Sequence, residues 1–303
     1  MIIIDAHTHL WLRQDTTVDG RRIYPLPNGR AMFMGEERQM LPPFLIDGVN
    51  SAEVFLSNMN YAQVSAAVVV QEVIDGNQND YLQQIERSYP ARFFCCGMID
   101  FSQDAADYSS QVLELAARGF KGIAIPAHRL HTPLTKRSMM EMFHTMERLR
   151  MVLSICLADD ISQTDQMQDV IAECPDLRVA IGHFGMPTGK YWHEQLMLAR
   201  APHVYIESGG ITWLYNSEFW PFPSAIKAIR KAAETIGVNK LMWGSDYPRT
   251  ITAITYKMSY DFVLRSDALT DEEKTLFLGE NARRFYRFGE LTELPYIKNM
   301  SED

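Results

Sequence analysis

Two histidines one residue apart, His7 and His9, follow Asp5 and close an apolar run, Ile2-Ile3-Ile4, close to the N-terminus. In a strand, alternate side chains share a face, so Asp5, His7 and His9 are expected to project to one side at its C-terminal end. Two imidazoles converging on one point suit a metal ion or a polarised carbonyl; a polar strand end satisfied by its neighbours is the structural alternative. Two further positions extend the set. His183 in Ile-Gly-His-Phe-Gly supplies a third imidazole, and Asp246 in Trp-Gly-Ser-Asp-Tyr-Pro supplies a carboxylate able to act as ligand or general base. The flanking glycines let the backbone turn sharply and admit a substrate close to it.

These residues sit at the ends of recurring apolar runs. Eight are present, at 2–10, 66–73, 92–99, 120–126, 152–157, 178–183, 204–207 and 240–246. After the first gap they begin about 26 to 36 residues apart, room for one strand, one helix and two loops. The stretches 79–88, 105–118, 138–149, 162–173, 194–200 and 224–236 carry apolar residues at three- and four-residue spacings and are predicted helices. Strands apolar on both faces, alternating with helices, predict a single-domain (β/α)8 TIM barrel over residues 1–303. An open doubly wound sheet would ordinarily carry a glycine-rich first turn, and Asp-Ala-His-Thr-His is not one.

In such a barrel the C-terminal strand ends line the site. Besides the first strand they offer Gln71, Asp100, His128, His183, Glu207 and Asp246. Gln71, His128 and Arg129 are expected to bind substrate; only one of Gln71 and Glu72 can point inward if the strand alternation holds. Arg13, Arg129 and Arg249 are candidate anion contacts, with a solvated loop charge as the bland reading of each. His144, His193 and His203 fall at structural positions, and Cys156 reads as a small buried hydrophobe rather than a nucleophile.

The segment 11–50 breaks the spacing. It holds Pro25, Pro27, Pro42, Pro43 and four glycines, with Tyr24, Met32, Phe33, Met34, Met40 and Phe44 among charged residues. A long loop after the first strand lies on the catalytic face, and its apolar side chains need a covering surface, so an ordered lid over the barrel mouth is expected. A partly ordered insertion or a subunit contact is the alternative.

Composition narrows the partners. A net charge of −9 with no long basic block argues against nucleic acid or an anionic membrane as main partner, leaving a small molecule, alone or with further copies of this chain. Four cysteines without a CxxC pair fit reduced thiols in a cytoplasmic protein. No basic leader with a cleavage site and no apolar run of about 18 residues is present.

Asp-Ala-His-Thr-His-Leu-Trp at the first strand, Gly-His-Phe-Gly-Met-Pro at the sixth, Trp-Gly-Ser-Asp-Tyr-Pro at the eighth and Gly-Glu-Asn-Ala-Arg-Arg-Phe-Tyr at 279–286 together resemble the amidohydrolase superfamily. Within it they are most similar to the amidohydrolase-related branch that contains sugar-lactone and pyrone-dicarboxylate lactonases and non-oxidative aromatic decarboxylases. The resemblance implies a barrel hydrolase in which His7, His9, His183 and Asp246 hold at most one divalent metal, zinc being expected, or polarise a carbonyl directly. It implies Asp246 and His183 as catalytic residues.

Departures from the family pattern separate its branches. The fourth strand has Lys121 at its start rather than a lysine at its end, which disfavours a two-metal site. The fifth reads Leu153-Ser154-Ile155-Cys156-Leu157-Ala158, without the histidine ligand of the metal-dependent decarboxylases. Ala124 and Glu207 stand where the lactonases tend to carry Arg and Lys. The expected activity is therefore hydrolysis of a small sugar-derived lactone, with a decarboxylase or a non-catalytic sugar-acid-binding barrel as alternatives.

Overall fold

The computed structural model describes residues 1–102, 107–291 and 293–302. Strand β1 (Ile4–Thr8) leads into a small antiparallel sheet, β2 (Thr16–Val18), β3 (Arg21–Leu26), β4 (Arg30–Phe33) and β5 (Glu36–Gln39). Seven further strands then alternate with helices: β6 (Ala66–Val69), β7 (Phe93–Met98), β8 (Gly122–Ile125), β9 (Val152–Ile155), β10 (Arg178–Ile181), β11 (Val204–Glu207) and β12 (Leu241–Met242). They order as β1-β6-β7-β8-β9-β10-β11-β12, each neighbouring pair parallel.

The ring is joined at β12 and β1. Ala6 N–H donates to the Trp243 carbonyl at 2.8 Å, Asp246 N–H to the His7 carbonyl at 2.9 Å and His9 N–H to the Tyr247 carbonyl at 2.8 Å. The expected (β/α)8 barrel is therefore the fold, and its last seam binds the His7 backbone directly to that of Asp246.

Two apolar layers follow from strand alternation. Ile4, Ala6, Ala66, Val68, Phe94, Cys96, Ala124, Val152, Ala180 and Met242 fill the interior, with Phe285 and Tyr286 packed against them. Ile3, Ala67, Val69, Ile123, Ile125, Leu153, Ile155, Val179 and Ile181 face the surrounding helices. Helices Asn79–Ser88, Arg137–Arg148, Ile161–Glu173, Trp192–Leu198 and Pro223–Ile236 lie within two residues of their predicted bounds. The second predicted helix, 105–118, is Tyr108–Ala117; its proposed start at Ala105 lies outside the described residues. Helix Ala52–Tyr61, capped by the Ser51 hydroxyl, was not anticipated. No helix among the described residues is long and apolar enough to cross a membrane.

The segment 11–50 is not a loop. Two two-residue turns, Asp19-Gly20 and Met34-Gly35, have positive φ at both positions, the geometry that joins antiparallel strands without splaying them, and the three-residue connection Pro27-Asn28-Gly29 has positive φ at its last two. Phe33, Arg38 and Gln39 from the sheet β2–β5 line the barrel mouth, as do Met40 just after it and Trp11 and Gln14 before it.

Gly279, in the wide helical turn Leu276–Glu280, shows how tightly the last helical segment seats on β1. A Cβ there would lie 2.1 Å from the Ile2 carbonyl oxygen, a backbone atom that cannot rotate away. Gly279→Ala is expected to cost about 1–3 kcal/mol of unfolding free energy, as overpacking does. Urea titration followed by circular dichroism measures it.

Candidate active site

Strict alternation along β1 would send His7 outward with Ile3 and Asp5. The pairing of β1 with β6 shifts register between Asp5 and Thr8, and this irregularity turns His7 into the mouth. Asp5 does not share its face, contrary to the sequence expectation. Its carboxylate is buried between barrel and helices, accepting from Ser245 N–H at 2.8 Å, the Tyr256 hydroxyl at 2.8 Å and His7 N–H at 3.2 Å. Burial outweighs these bonds and pushes its pKa up to about 6.

Each of the two histidines is held from behind by a carboxylate. His7 Nδ1 lies 2.7 Å from Glu207 Oε1, and His9 Nδ1 lies 2.7 Å from Asp75 Oδ2. These acceptors place a proton on both Nδ1 atoms and leave the Nε2 lone pairs facing forward. The two Nε2 atoms are 3.1 Å apart, and Asp246 Oδ1 stands 3.3 Å from that of His9 and 3.7 Å from that of His7. Three electron-rich atoms thus meet in a buried space, an arrangement that calls for a positive charge among them. The spacing fits a divalent ion, since a tetrahedron with ligand distances of about 2.0–2.1 Å has edges of about 3.3–3.4 Å.

The electrostatics follow the same geometry. Burial alone would lower the pKa of His7, but the charge and hydrogen bond of Glu207 raise it; for His9 burial is likewise overcome, by Asp75 and Asp246, and the pKa lies well above the usual range. Burial would raise Asp246, but when the imidazoles are protonated the hydrogen bond from His9 and the charges of the rings hold it well below the usual carboxylate range; a metal ion among these atoms takes the place of those protons. Asp246 Oδ2 accepts from Trp213 Nε1–H at 2.6 Å, and the Arg249 guanidinium lies 3.7 Å from the Trp213 ring centre.

His183 departs from the expected ligand quartet. Among the described residues of the mouth, the group whose ligand atoms all lie within 4.8 Å of one another is His7, His9 and Asp246. His183 lines the same mouth, its ring centre 4.9 Å from that of His7, but its Nδ1 lies 2.9 Å from the Gly209 carbonyl oxygen. That bond places the proton on Nδ1, so the neutral ring has an acceptor, not a donor, at Nε2. Burial first, then the charge of His7, lowers its pKa and favours this neutral form. His183 and Asp246 both adopt left-handed backbone conformations, φ 50° and 57°, of the kind that concentrates at functional sites.

The expected substrate contacts divide. Gln71, Glu72, His128 and Arg129 all line the mouth. Gln71 and Glu72 do so together because β6 ends at Val69 and alternation no longer applies. Gln71 is saturated, its amide donating to Asn79 Oδ1 and the Cys96 carbonyl and accepting from Gln78 N–H, so it braces the rim rather than offering a free group. Arg129 is not a solvated loop charge; its Nε donates to Glu72 Oε1 at 2.8 Å. Arg13 is one, 72% exposed and paired with Asp15. Lys121 pairs with Glu86 away from the mouth.

Glycines guard the Glu207–His7 pair. A Cβ at Gly182 would lie 2.8 Å from Glu207 Oε1, at Gly209 2.7 Å from His7 Cγ, and at Gly244 2.8 Å from both Glu207 Oε2 and His7 Cβ. The glycines beside His183 and Asp246 therefore admit another protein side chain, Glu207, as much as a sharp turn. Glu207 was expected at a strand end and as a departure from the lactonase pattern, not as the partner of His7, and Asp75 and Trp213 were not among the candidates. Asp75 had one local signal, its place three residues after Glu72, where the two side chains cap a short helical turn reciprocally.

A model of the amidohydrolase family matches residues 4–288. No curated protein matches the sequence. Among solved structures, a probable 2-pyrone-4,6-dicarboxylic acid hydrolase of Acinetobacter baumannii with citric acid bound superposes with a TM-score of 0.70 at 20% identity, over 95% of this chain and 100% of that one. An amidohydrolase of Burkholderia multivorans with bound zinc gives 0.72 at 17% identity, over 95% and 99%. A 5-carboxyvanillate decarboxylase of Sphingomonas paucimobilis gives 0.62 at 16% identity, over 81% and 86%. At these identities the likeness speaks for the fold.

The carboxylates behind the histidines generate a test. Glu207→Gln and Asp75→Asn keep shape but lose the charge that orients each imidazole, and each is expected to weaken divalent-metal binding at the mouth about 10–100-fold. Isothermal titration of metal-free protein with zinc measures the change, and an unaltered affinity would show that the pairs are merely structural.

Proposed function

The chain belongs to the amidohydrolase family, and from that premise we propose that it hydrolyses a small cyclic carboxylic ester, a sugar-derived lactone being the substrate class that best suits the site. The observation that carries this reading is the convergence of His7 Nε2, His9 Nε2 and Asp246 Oδ1 on the wall of a cavity of about 320 Å³. That volume is at the small end of ligand pockets and suits a monosaccharide-sized ring rather than a polymer.

Zinc held by His7, His9 and Asp246 would act as a Lewis acid on the carbonyl and make a bound water more acidic. The chain's own residues handle the protons. Asp246 stays ionised and is the general base: as the water oxygen bonds to the carbonyl carbon, the water proton passes to its carboxylate. When the ring C–O bond breaks, the departing oxygen takes that proton back. Neutral His183, with only an acceptor at Nε2, receives a hydrogen bond from water or a substrate hydroxyl and orients it. This replaces the donor role first expected of it. Trp213 fixes the Asp246 carboxylate by its 2.6 Å bond, so the base is presented in one orientation.

The 11–50 segment adds Phe33 and Met40 to the cavity wall and restricts the entry of bulk water and of large substrates. The zinc-bound amidohydrolase and the pyrone-dicarboxylic acid hydrolase named above are in keeping with this assignment. Cys156 rather than histidine beyond β9 weighs against the decarboxylase alternative.

Asp246→Asn is expected to reduce turnover on the best lactone of a panel by about 10²–10⁴-fold, the usual worth of a positioned acid–base group. A pH-stat following acid release measures it, with carbon dioxide evolution recorded in parallel. Carbon dioxide without ring opening would replace hydrolysis by decarboxylation, and near-normal turnover of Asp246→Asn would remove the proposed base.

A further inference from the structure

A second group of metal-ligand side chains lies outside the barrel. His144, Glu147 and Cys174 each offer a ligand atom, all within 4.8 Å of one another. His144 and Glu147 are three residues apart on the helix Arg137–Arg148, so they share a face, and Cys174 caps the end of the helix Ile161–Glu173. Cys174 Sγ is 3.3 Å from His144 Nδ1. A thiolate and an imidazole on one tetrahedral zinc, at about 2.3 and 2.0–2.1 Å, stand about 3.5–3.6 Å apart, close to the separation already present.

The surroundings favour a cation. Glu147 Oε1 accepts from Asp176 N–H at 2.8 Å. Glu173 Oε2 stands 3.7 Å from His144 Nε2, the nitrogen turned away from the thiol, and Asp176 Oδ1 stands 3.8 Å from His203 Nε2. Among the described residues no lysine or arginine forms an ion pair with Glu147, Glu173 or Asp176. With Glu147 in the group and Glu173 beside His144, a positive ion at this position is favoured. The carboxylate behind Nε2 repeats, at longer range, the arrangement that orients His7 and His9 in the mouth.

We infer that His144, Glu147 and Cys174 form a second divalent-metal site, zinc by its mixed sulfur, nitrogen and oxygen donors, which clamps the helices Arg137–Arg148 and Ile161–Glu173 together. Three protein ligands leave a fourth position to water. As the sulfur–metal bond forms, the Cys174 thiol proton leaves to solvent; His144 binds through Nδ1 and keeps its proton on Nε2, facing Glu173. The role is structural, and it stands apart from the proposed hydrolysis because none of these residues lines the mouth.

The test uses the full chain, freed of metal and titrated with cobalt and then zinc. The variant His7→Ala/His9→Ala, which lacks the mouth ligands, is expected still to bind one cobalt with a near-ultraviolet thiolate-to-cobalt band. Cys174→Ser should abolish that band and weaken zinc by more than the roughly 10–100-fold that losing an outer partner costs. Calorimetry in two buffers should record about one proton released per zinc, and zinc should raise the thermal midpoint of the double variant. If the double variant does not fold, the wild-type protein compared with Cys174→Ser decides the same point. Absence of the band, or its persistence in Cys174→Ser, which would assign it to Cys156 in the mouth, overturns the site. Neither result bears on lactone turnover.

Discussion

The buried pair of Glu207 and His7 is the constraint around which the barrel mouth is arranged. Both side chains are almost completely shielded from water, and their 2.7 Å contact spans two strands on opposite sides of the chain's closing seam. A pair of this kind is costly to half-remove, because a charge left alone in the interior costs about 3–5 kcal/mol. Its presence dictates what can surround it. Gly182, Gly209 and Gly244 come from three separate strand ends, and each lacks the Cβ that would strike Glu207 or His7. Gly209 also accepts from His183 through its carbonyl and donates to Glu207 through its N–H, so one residue couples two histidines.

From that pair the catalytic arrangement follows by short steps. Glu207, Asp75 and the Gly209 carbonyl each accept from Nδ1 of one ring and so fix the same tautomer in His7, His9 and His183. Two imidazoles point lone pairs at a common space with Asp246, while the third, its ring beside that of His7, lines the same mouth outside that group. Three histidines that look equivalent in a linear reading have two different chemical uses. The difference lies in position and in the charge behind each ring: carboxylates from β11 and from the turn after β6 stand behind His7 and His9, and a neutral backbone carbonyl beyond β11 behind His183.

The mouth is narrowed by a structure of different origin. The sheet β2–β5 has little apolar alternation of its own, and its strands carry charged pairs such as Arg30–Glu37 and Arg38–Glu36. It is held by its tight turns and by contacts at its base, where Trp11 packs with Leu41 and Leu45 and donates its indole N–H to the Gly48 carbonyl. Placing it between β1 and β6 lets the barrel keep its spacing everywhere else. A scaffold of rigid strands thus carries the reacting groups, and an inserted sheet adjusts what reaches them.

The barrel was legible in the amino-acid sequence because burial on both faces forces continuous apolar runs, and each run must be followed by a helix long enough to return to the same end. The same logic placed His7, His9, His183 and Asp246 at one rim, where the structure gathers them. Asp-Gly and Asn-Gly in the 11–50 segment were turn signals too, but the charged strands between them hid the sheet. What the linear pattern could not supply was direction within the rim. Alternation sent Asp5 with the histidines, and a register shift in β1 separates them; alternation allowed only one of Gln71 and Glu72 inward, and the strand ends before either. Glu207 looked like a missing cation until β11 put it behind His7, and Asp75 and Trp213 acquire meaning only from residues 66 and 33 positions away. Periodicity is local and survives in sequence, whereas hydrogen-bond partners across a barrel are decided by which strand ends the closed ring brings face to face.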